Sequence, residues 1–431
     1  METTKNSQKW QLNQGIMRKE IPPFELSEYS LFIASKGLYS YILCSFVISF
    51  LDFMGNWLAV IILPSAVWLT GLLFWRMRQM GTRSISNPSV TGITVARNES
   101  ATIRACLDSL LRQEPKLDEV LMYDDSSSDG TQDIASEISL RNPELAIISL
   151  AEEVRIASPK KRALADGFAR ATGDVVAITD ADCVVPPAWV NEMIGEMDPA
   201  TGAVIGASWP ANGKTFSERA YRWERLTANT LMASACGWGL PASACGHSIV
   251  YLKKALQEVD APVHREIPSG DDDLTVQAIA SFGWNVKFCA SPDSVVRDLG
   301  GLRGSRWNQA ARHQSVTHLY PMRWRVMFAL SIAANILFLL AFLSVPFVGN
   351  KISVSLILLC KLALDGLAGI ILANKLKLNI GSAEIFAASL VLPVWTFWRA
   401  LAAVFGKRYD WRGRSMNYEA VLIPTPGGHG S

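Results

Sequence analysis

Hydrophobic and polar positions divide the chain into membrane-like ends around an alternating middle. Residues 57–75, WLAVIILPSAVWLTGLLFW, carry no charge and are long enough to cross a bilayer as one helix. The preceding stretch, 37–54, is also apolar but contains Asp52 and ends at a Met-Gly-Asn break. It reads as a second span closing a hairpin, or as the interfacial first half of one long helix. From about 85 to 318 the pattern changes. Short β-branched runs (Val90–Val95, Glu119–Tyr123, Ala146–Leu150, Val175–Thr179 and Ala203–Ala207) end in polar turns, and amphipathic stretches at 101–113, 129–142 and 159–171 lie between them. Strands alternating with helices of this length predict an α/β domain, a mostly parallel, Rossmann-like sheet with crossover helices. In such sheets ligands bind outside the carboxyl ends of the strands.

Three more apolar stretches follow, at 326–348, 352–373 and 382–406. The second holds Lys361 and Asp365, four apart on one helix face, so they could pair inside a bundle. The third is interrupted by Pro393 and Arg399. The expected organisation is an N-terminal cytoplasmic segment 1–36, membrane segments 37–76, an α/β domain 77–320, C-terminal membrane helices 321–406 and a basic tail 407–431.

Composition supports that division. Hydrophobic residues make up 49% and charged residues 19% of 431, too apolar for an ordinary soluble enzyme and consistent with several spans on a folded domain. The formal charge of +2 gives no argument for nucleic acid, and no nucleic-acid partner is expected. Seven cysteines (Cys44, Cys106, Cys183, Cys236, Cys245, Cys289 and Cys360) form no CxxC pair and fit a reducing compartment better than a disulfide framework. The first thirty residues are polar with proline, so no cleaved signal peptide is expected. Basic clusters at 76–83 (RMRQMGTR) and 406–414 (GKRYDWRGR) mark the cytoplasmic side. The reading is an integral, multi-pass protein of the cell (inner) membrane with its α/β domain cytoplasmic. Three late crossings would put the tail outside. The charge rule is the stronger argument, so one segment, foremost the proline-broken third, is expected to be re-entrant or interfacial.

Four acidic stations stand out, three of them directly after predicted strands. The first, ARNES (96–100), has a plain explanation as a helix cap at Asn98. The second, YDDSSSDGT (123–131), fits a tight turn with a cap at Ser128 or Asp129. A turn, however, does not need two adjacent carboxylates, and Asp124 and Asp125 could accept hydrogen bonds from a nucleobase and ribose. The third, VVAITDADCVVPP (175–187), ends an apolar strand in Asp180 and Asp182. Residues two apart on a strand point to one side, so this pair needs a positive partner. A divalent cation, Mg²⁺ or Mn²⁺, sharing its shell with a diphosphate would supply it. The fourth places Asp271, Asp272 and Asp273 before a helix; dipole complementarity explains one of them better than three, and a carboxylate held there could act as general base. Downstream, SRWNQAARHQ (305–314) sets Gln309, Arg312 and His313 on about one helical turn, able to hold phosphate or a hydroxyl; an amphipathic basic helix on the membrane is the alternative. There is no GxGxxG, Walker loop or HExxH, and GHS (246–248) lacks the glycine of a nucleophile elbow.

In this order and spacing the stations resemble a membrane-bound, inverting, GT-A-type glycosyltransferase of family 2, over about 88–315. The resemblance implies that Ala96, Asn98, Glu99, Asp124 and Asp125 hold the donor nucleoside, with Lys160 at the family's GK..AL lysine. It implies that Asp180 and Asp182 are the metal-binding DxD, Asp180 also meeting the donor, and that Asp272 is the catalytic base of the family's ED. Asp271, Gln309, Arg312 and His313 would lie by acceptor and diphosphate. QAARH departs from QxxRW at His313, which removes the tryptophan of processive members. DWRGR (410–414) resembles the tail of lipid-glycosylating members related to ceramide glucosyltransferase. The implied activity moves one sugar from a nucleotide-diphosphate sugar, a UDP-sugar by this resemblance, to a hydroxyl of a membrane lipid. The rival readings are a processive polysaccharide synthase of the same fold and a non-catalytic membrane scaffold.

Overall fold

The computed structural model describes residues 56–78, 87–150, 158–265, 267, 269–301, 312–313, 315–347, 351–405, 408–411 and 414–417. The expected first span at 37–54, the segment 1–36, Gln309 and most of the tail lie outside them. The chain forms two compact units, 1–59 and 60–431. Of the first, only the opening turn of a helix is described; every contact below belongs to the second.

Helix α1 (Asn56–Arg78) leads into strand β1 (Val90–Ala96), α2 (Ile103–Leu111), β2 (Glu119–Asp124), α3 (Thr131–Ser139), β3 (Leu145–Ser149), α4 (Pro159–Arg170) and β4 (Val175–Ile178). These match the alternation in the sequence to within two residues at strand ends. Next come β5 (Cys183–Val184), α5 (Trp189–Gly195), β6 (Thr201–Gly206), β7 (Ser208–Pro210), the long α6 (Phe216–Gly237), β8 (Ile249–Leu252) and α7 (Lys253–Glu258). The domain closes with α8 (Asp273–Ser281), β9 (Asn285–Cys289) and β10 (Val296–Asp298). Helices α9 (Met322–Ser344), α10 (Lys351–Lys375) and α11 (Ser382–Phe405) follow, then a hairpin of β11 (Arg408–Trp411) and β12 (Arg414–Asn417).

The main sheet runs β3-β2-β1-β4-β8-β6-β9. Strands β1 to β4 pair in parallel, whereas β8 is antiparallel to both β4 and β6. Strands β1, β4 and β6 are buried along their whole length, as parallel-type strands covered on both faces should be. One apolar layer under α2, α3 and α5 includes Leu107, Met122 and Trp189; the other, under α4, α6 and α8, includes Ile93, Tyr123 and Phe288.

Helices α1, α9, α10 and α11 are each long and apolar enough to cross a membrane. Helix α1 seats against α6 at paired glycines: a Cβ on Gly237 would stand 1.8 Å from the Gly71 carbonyl oxygen. No side chain fits between the two backbones there. Trp75 Nε1 adds a hydrogen bond to the Phe288 carbonyl at 3.0 Å, so the apolar helix is fixed to the sheet domain. In α10 the pair foreseen from sequence is made, with Lys361 Nζ 2.5 Å from Asp365 Oδ2. The six described cysteines are all free thiols.

Candidate active site

The loops after β1 and β2 are tied into one surface. The Asp125 amide donates to the Ala96 carbonyl at 2.9 Å. Asn98, at φ +51°, donates its amide to Ser127 Oγ and accepts from the Ser128 amide, both at 2.9 Å. The Glu99 amide donates to Thr131 Oγ1 at 2.8 Å, and Glu99 Oε2 accepts from Thr102 Oγ1 at 2.9 Å. The simple capping expectations are corrected here. Thr102, not Asn98, is the N-cap of α2, and Gly130 that of α3. The side chains had a better use, because joining the two loops satisfies backbone amides of both.

At the tip of β2, Asp124 is 1% exposed. Its Oδ2 accepts from the Ser127 amide at 3.1 Å, while Oδ1 is buried with no hydrogen-bond partner among the described residues. Buried acceptors are rarely left so, and an N–H on a bound base would satisfy this one. Asp125 is held from the other side by Arg97, whose Nη1 donates to its carbonyl at 2.5 Å.

Asp180 and Asp182 do not stand on the strand itself, contrary to the expectation from alternation. Strand β4 ends at Ile178, and both carboxylates sit in the turn that follows, closed by the Cys183 amide donating to the Asp180 carbonyl at 3.0 Å. Their placement is set by that turn and not by strand alternation. The positive partners of Asp180 are Lys160, 2.9 Å from Oδ1, and His247, whose Nε2 is 3.6 Å from Oδ2. Lys160 projects from the first turn of α4, just after the N-cap Ser158, and also reaches Asp271 Oδ2 at 2.8 Å. Burial disfavours the charged lysine, but Asp180 and Asp271 outweigh it and hold its pKa well above the ordinary range. Asp180 is likewise penalised by burial, and Lys160 and His247 bring it down to about 2. The carboxylate of Asp182 lies under Gly300, where a Cβ would stand 2.1 Å from Oδ2; only glycine lets that backbone pass over the acid. Ligand atoms of Asp182, Cys183 and His247 fall within 4.8 Å of one another, a donor set that fits a divalent cation.

The three consecutive aspartates have three different partners. Asp271 faces Lys160. Asp272 is the N-cap of α8: its Oδ1 accepts from the Asp273 amide, and its Oδ2 accepts from the Gly246 amide, each at 2.8 Å. Burial raises its pKa well above the usual carboxylate value, the neighbouring Asp273 and Asp271 raise it further, and Lys160 pulls the other way. Asp273 is structural. Its Oδ1 accepts from Ser243 Oγ and the Ala244 amide, and its Oδ2 from Tyr320 OH at 2.6 Å.

A cavity of about 450 Å³ joins these acids to the apolar helices. Lys160, Asp180 and Asp271–Asp273 line one part, and Asn335 of α9, Lys361 and Asp365 of α10, and Trp395 and Arg399 of α11 line another. Arg312 and His313 lie on its wall.

Sequence reasoning passed over α6 and the loop before β8. Arg225 Nη2 donates to Tyr221 OH at 3.0 Å, and that hydroxyl donates to Asp298 Oδ2 at 2.6 Å. Arg225 Nη1 also lies 3.0 Å from Cys245 Sγ. Burial alone would raise this thiol, but His247 and Arg225 bring it down to about 6. The available signals were weak: a Tyr-Arg pair four apart on an amphipathic stretch, and a histidine between glycine and serine.

Residues 91–260 match the model of glycosyl transferase family 2. The protein named "Probable glycosyltransferase YdaM" of Bacillus subtilis (strain 168) is 25% identical over 207 residues, 47% of this chain and 49% of the relative. The dolichol-phosphate mannosyltransferase of Pyrococcus furiosus is 31% identical over 104 residues, 24% of this chain and 28% of the relative. The chain spans about half, or less, of the length of these curated relatives. Among solved structures, the mannosyltransferase PcManGT from Pyrobaculum calidifontis, in complex with GDP-Man and Mn²⁺, superposes with a TM-score of 0.50 at 20% identity, covering 81% of this chain and 99% of that one. The chain therefore carries a family 2 glycosyltransferase domain on a GT-A-like α/β fold, flanked by four helices apolar enough to cross a membrane.

Proposed function

We propose that the protein is a metal-dependent, inverting glycosyltransferase that moves a single sugar from a nucleotide-diphosphate sugar to a hydroxyl of a membrane lipid at the cytoplasmic face. The observation that carries this reading is the cavity: one space touches the acid cluster at one end and the apolar helices at the other. A soluble acceptor would not need that wall. The name of the dolichol-phosphate mannosyltransferase among the relatives also supports a lipid acceptor.

The geometry supports the following roles. Asp124, with its orphaned Oδ1, and the joined loops carrying Ala96, Asn98, Glu99 and Asp125 receive the nucleoside. Asp180 and Asp182 would hold Mg²⁺ or Mn²⁺, which supplies Lewis-acid neutralisation of the departing diphosphate. Lys160, charged and shared between Asp180 and Asp271, adds positive charge on the donor side, with Arg312 on the same wall. Asp272 takes the proton of the acceptor hydroxyl as that oxygen attacks the anomeric carbon opposite the leaving group. Two backbone amides orient its carboxylate, and each oxygen keeps a lone pair for the proton. The absence of the processive tryptophan at His313 favours one addition over many.

Purified protein is incubated with host lipid extract, a panel of labelled nucleotide sugars and Mg²⁺ or Mn²⁺, and the lipids are read by mass spectrometry. One lipid bearing one labelled sugar, abolished by EDTA, is expected. A ladder of additions would reject single transfer, and label in no lipid with any donor would reject the lipid acceptor.

A further inference from the structure

Halfway along the apolar helices, the cavity is lined by polar groups that the transfer reaction does not use. Asn335 lies about 20 Å along α9 from the helix start that is bonded to the acidic loop. Its Nδ2 donates to the Ser331 carbonyl one turn back at 2.9 Å. Its Oδ1 has no partner among the described residues, and the residue lines the cavity. One turn further on, the Phe338 ring lies 5.4 Å from Lys361 Nζ, so Asn335 and Lys361 stand on neighbouring parts of the wall. Lys361 is 3% exposed and pairs with Asp365 Oδ2 at 2.5 Å. The other oxygen, Asp365 Oδ1, has no partner among the described residues. Ionisable groups among apolar helices are costly and need a reason. Arg399 and Glu224 have one, because their pair clamps α11 to α6. Lys361 and Asp365 both belong to α10, so their pair joins no two elements. What it does is hold a carboxylate on the cavity wall with one oxygen spare. An acceptor whose buried part were wholly hydrocarbon would dehydrate that oxygen and Asn335 Oδ1 and give them nothing in return. Both call for a hydrogen-bond donor. A cation is the poorer fit, since Lys361 already neutralises the carboxylate.

We propose that Asn335 and the Lys361–Asp365 pair form a subsite for a hydroxyl on the chain of the acceptor lipid, remote from the hydroxyl that receives the sugar. The acceptor is then a lipid with two separated hydroxyls, and these residues help to select it. The proposal rests on the reading of this cavity as the acceptor's site.

The test uses the full chain in detergent and measures labelled sugar entering host lipid extract. The added competitors are a sixteen-carbon α,ω-diol, the vicinal diol and the monoalcohol of the same length. The α,ω-diol should compete at about tenfold lower concentration than either of the others, the scale of a hydrogen bond to a charged group. Asn335→Leu, and the double replacement Lys361→Met with Asp365→Leu, should level the three alcohols while nucleotide-sugar affinity stays at the wild-type value in calorimetry. Apolar exchange of a whole buried pair is often neutral for folding, and the comparison on the wild-type protein needs no variant. Three alcohols of equal potency on the wild-type protein, or a preference that survives both replacements, would overturn the subsite and leave transfer to lipid standing. Label in no lipid with any donor sugar would remove the lipid acceptor, and the subsite with it.

Discussion

At the scale of single residues, three adjacent aspartates do three jobs because a helix start turns each side chain a different way. Asp271 points to Lys160, Asp272 caps α8, and Asp273 gathers the loop at 243–244 and Tyr320. Asp272→Asn should therefore keep nucleotide-sugar binding and lose transfer by about 10²–10⁴-fold, the loss typical of a missing general base. Wild-type turnover in that variant would remove Asp272 from the proton transfer. The same residue sets a pH dependence. A base works ionised, and burial with two acidic neighbours raises this carboxylate. The rate should fall as pH drops through the raised value, so the acid limb of the pH–rate profile should lie above the usual carboxylate range near ~4. For the donor site, Asp180→Asn and Asp182→Asn should each weaken nucleotide-sugar binding, and full turnover by the double variant in EDTA would contradict a metal at this turn.

Among the elements, α11 and the start of α9 are the informative ones. Glu384 near the start of α11 accepts from Trp223 Nε1 at 3.1 Å, and Arg399, fifteen residues on, meets Glu224 at 2.6 Å. Fifteen residues of helix rise about 22 Å, yet both contacts land on neighbouring residues of α6. A helix that left α6 along its own axis would carry Arg399 beyond reach of Glu224, so α11 crosses α6 near its own middle. From the charge rule we propose that α11 stays at the interface and leaves the basic tail on the same side as the sheet domain. Cysteine placed by Ser415→Cys should stay unlabelled by impermeant reagent in intact cells; labelling there would mean that α11 crosses. At α9, Trp324 Nε1 donates to the Pro241 carbonyl at 3.1 Å and Tyr320 reaches Asp273, so the helix start is bonded to the loop beside the acids. Tyr320→Phe deletes a charge-assisted hydrogen bond and should cost about 1.5–3 kcal/mol of unfolding free energy, measurable by denaturant titration.

On the scale of the whole molecule, the sheet domain and the apolar helices share one cavity, and the acceptor reading depends on that sharing. Asn335 lines it from α9. Asn335→Trp should fill the helix end of the cavity and suppress lipid glycosylation severalfold or more, leaving nucleotide-sugar affinity unchanged in calorimetry. Unaltered lipid product would mean that the acceptor enters elsewhere.

Much of this was written in local sequence. Strands β1 to β4 and β6 were legible because β-branched runs bounded by polar turns state a strand without reference to anything distant. The stations at Asp124, Asp180 and Asp272 were legible because each follows or precedes such an element directly. The Lys361–Asp365 pair needed only helix periodicity. What tertiary structure alone decided lies where partners are far apart in the chain. The antiparallel insertion of β8 between β4 and β6 joins runs some seventy residues apart, and no local pattern states their order. His247 reaches Asp180 across a similar separation, and the burial that leaves one Asp124 oxygen without a partner is set by packing around the tip of β2. Trp223 and Glu224 looked like an ordinary amphipathic stretch until α11 was laid across them. A side chain's neighbours along the chain set its local geometry, but the partner that gives it a charge state, a metal or a substrate is chosen by packing.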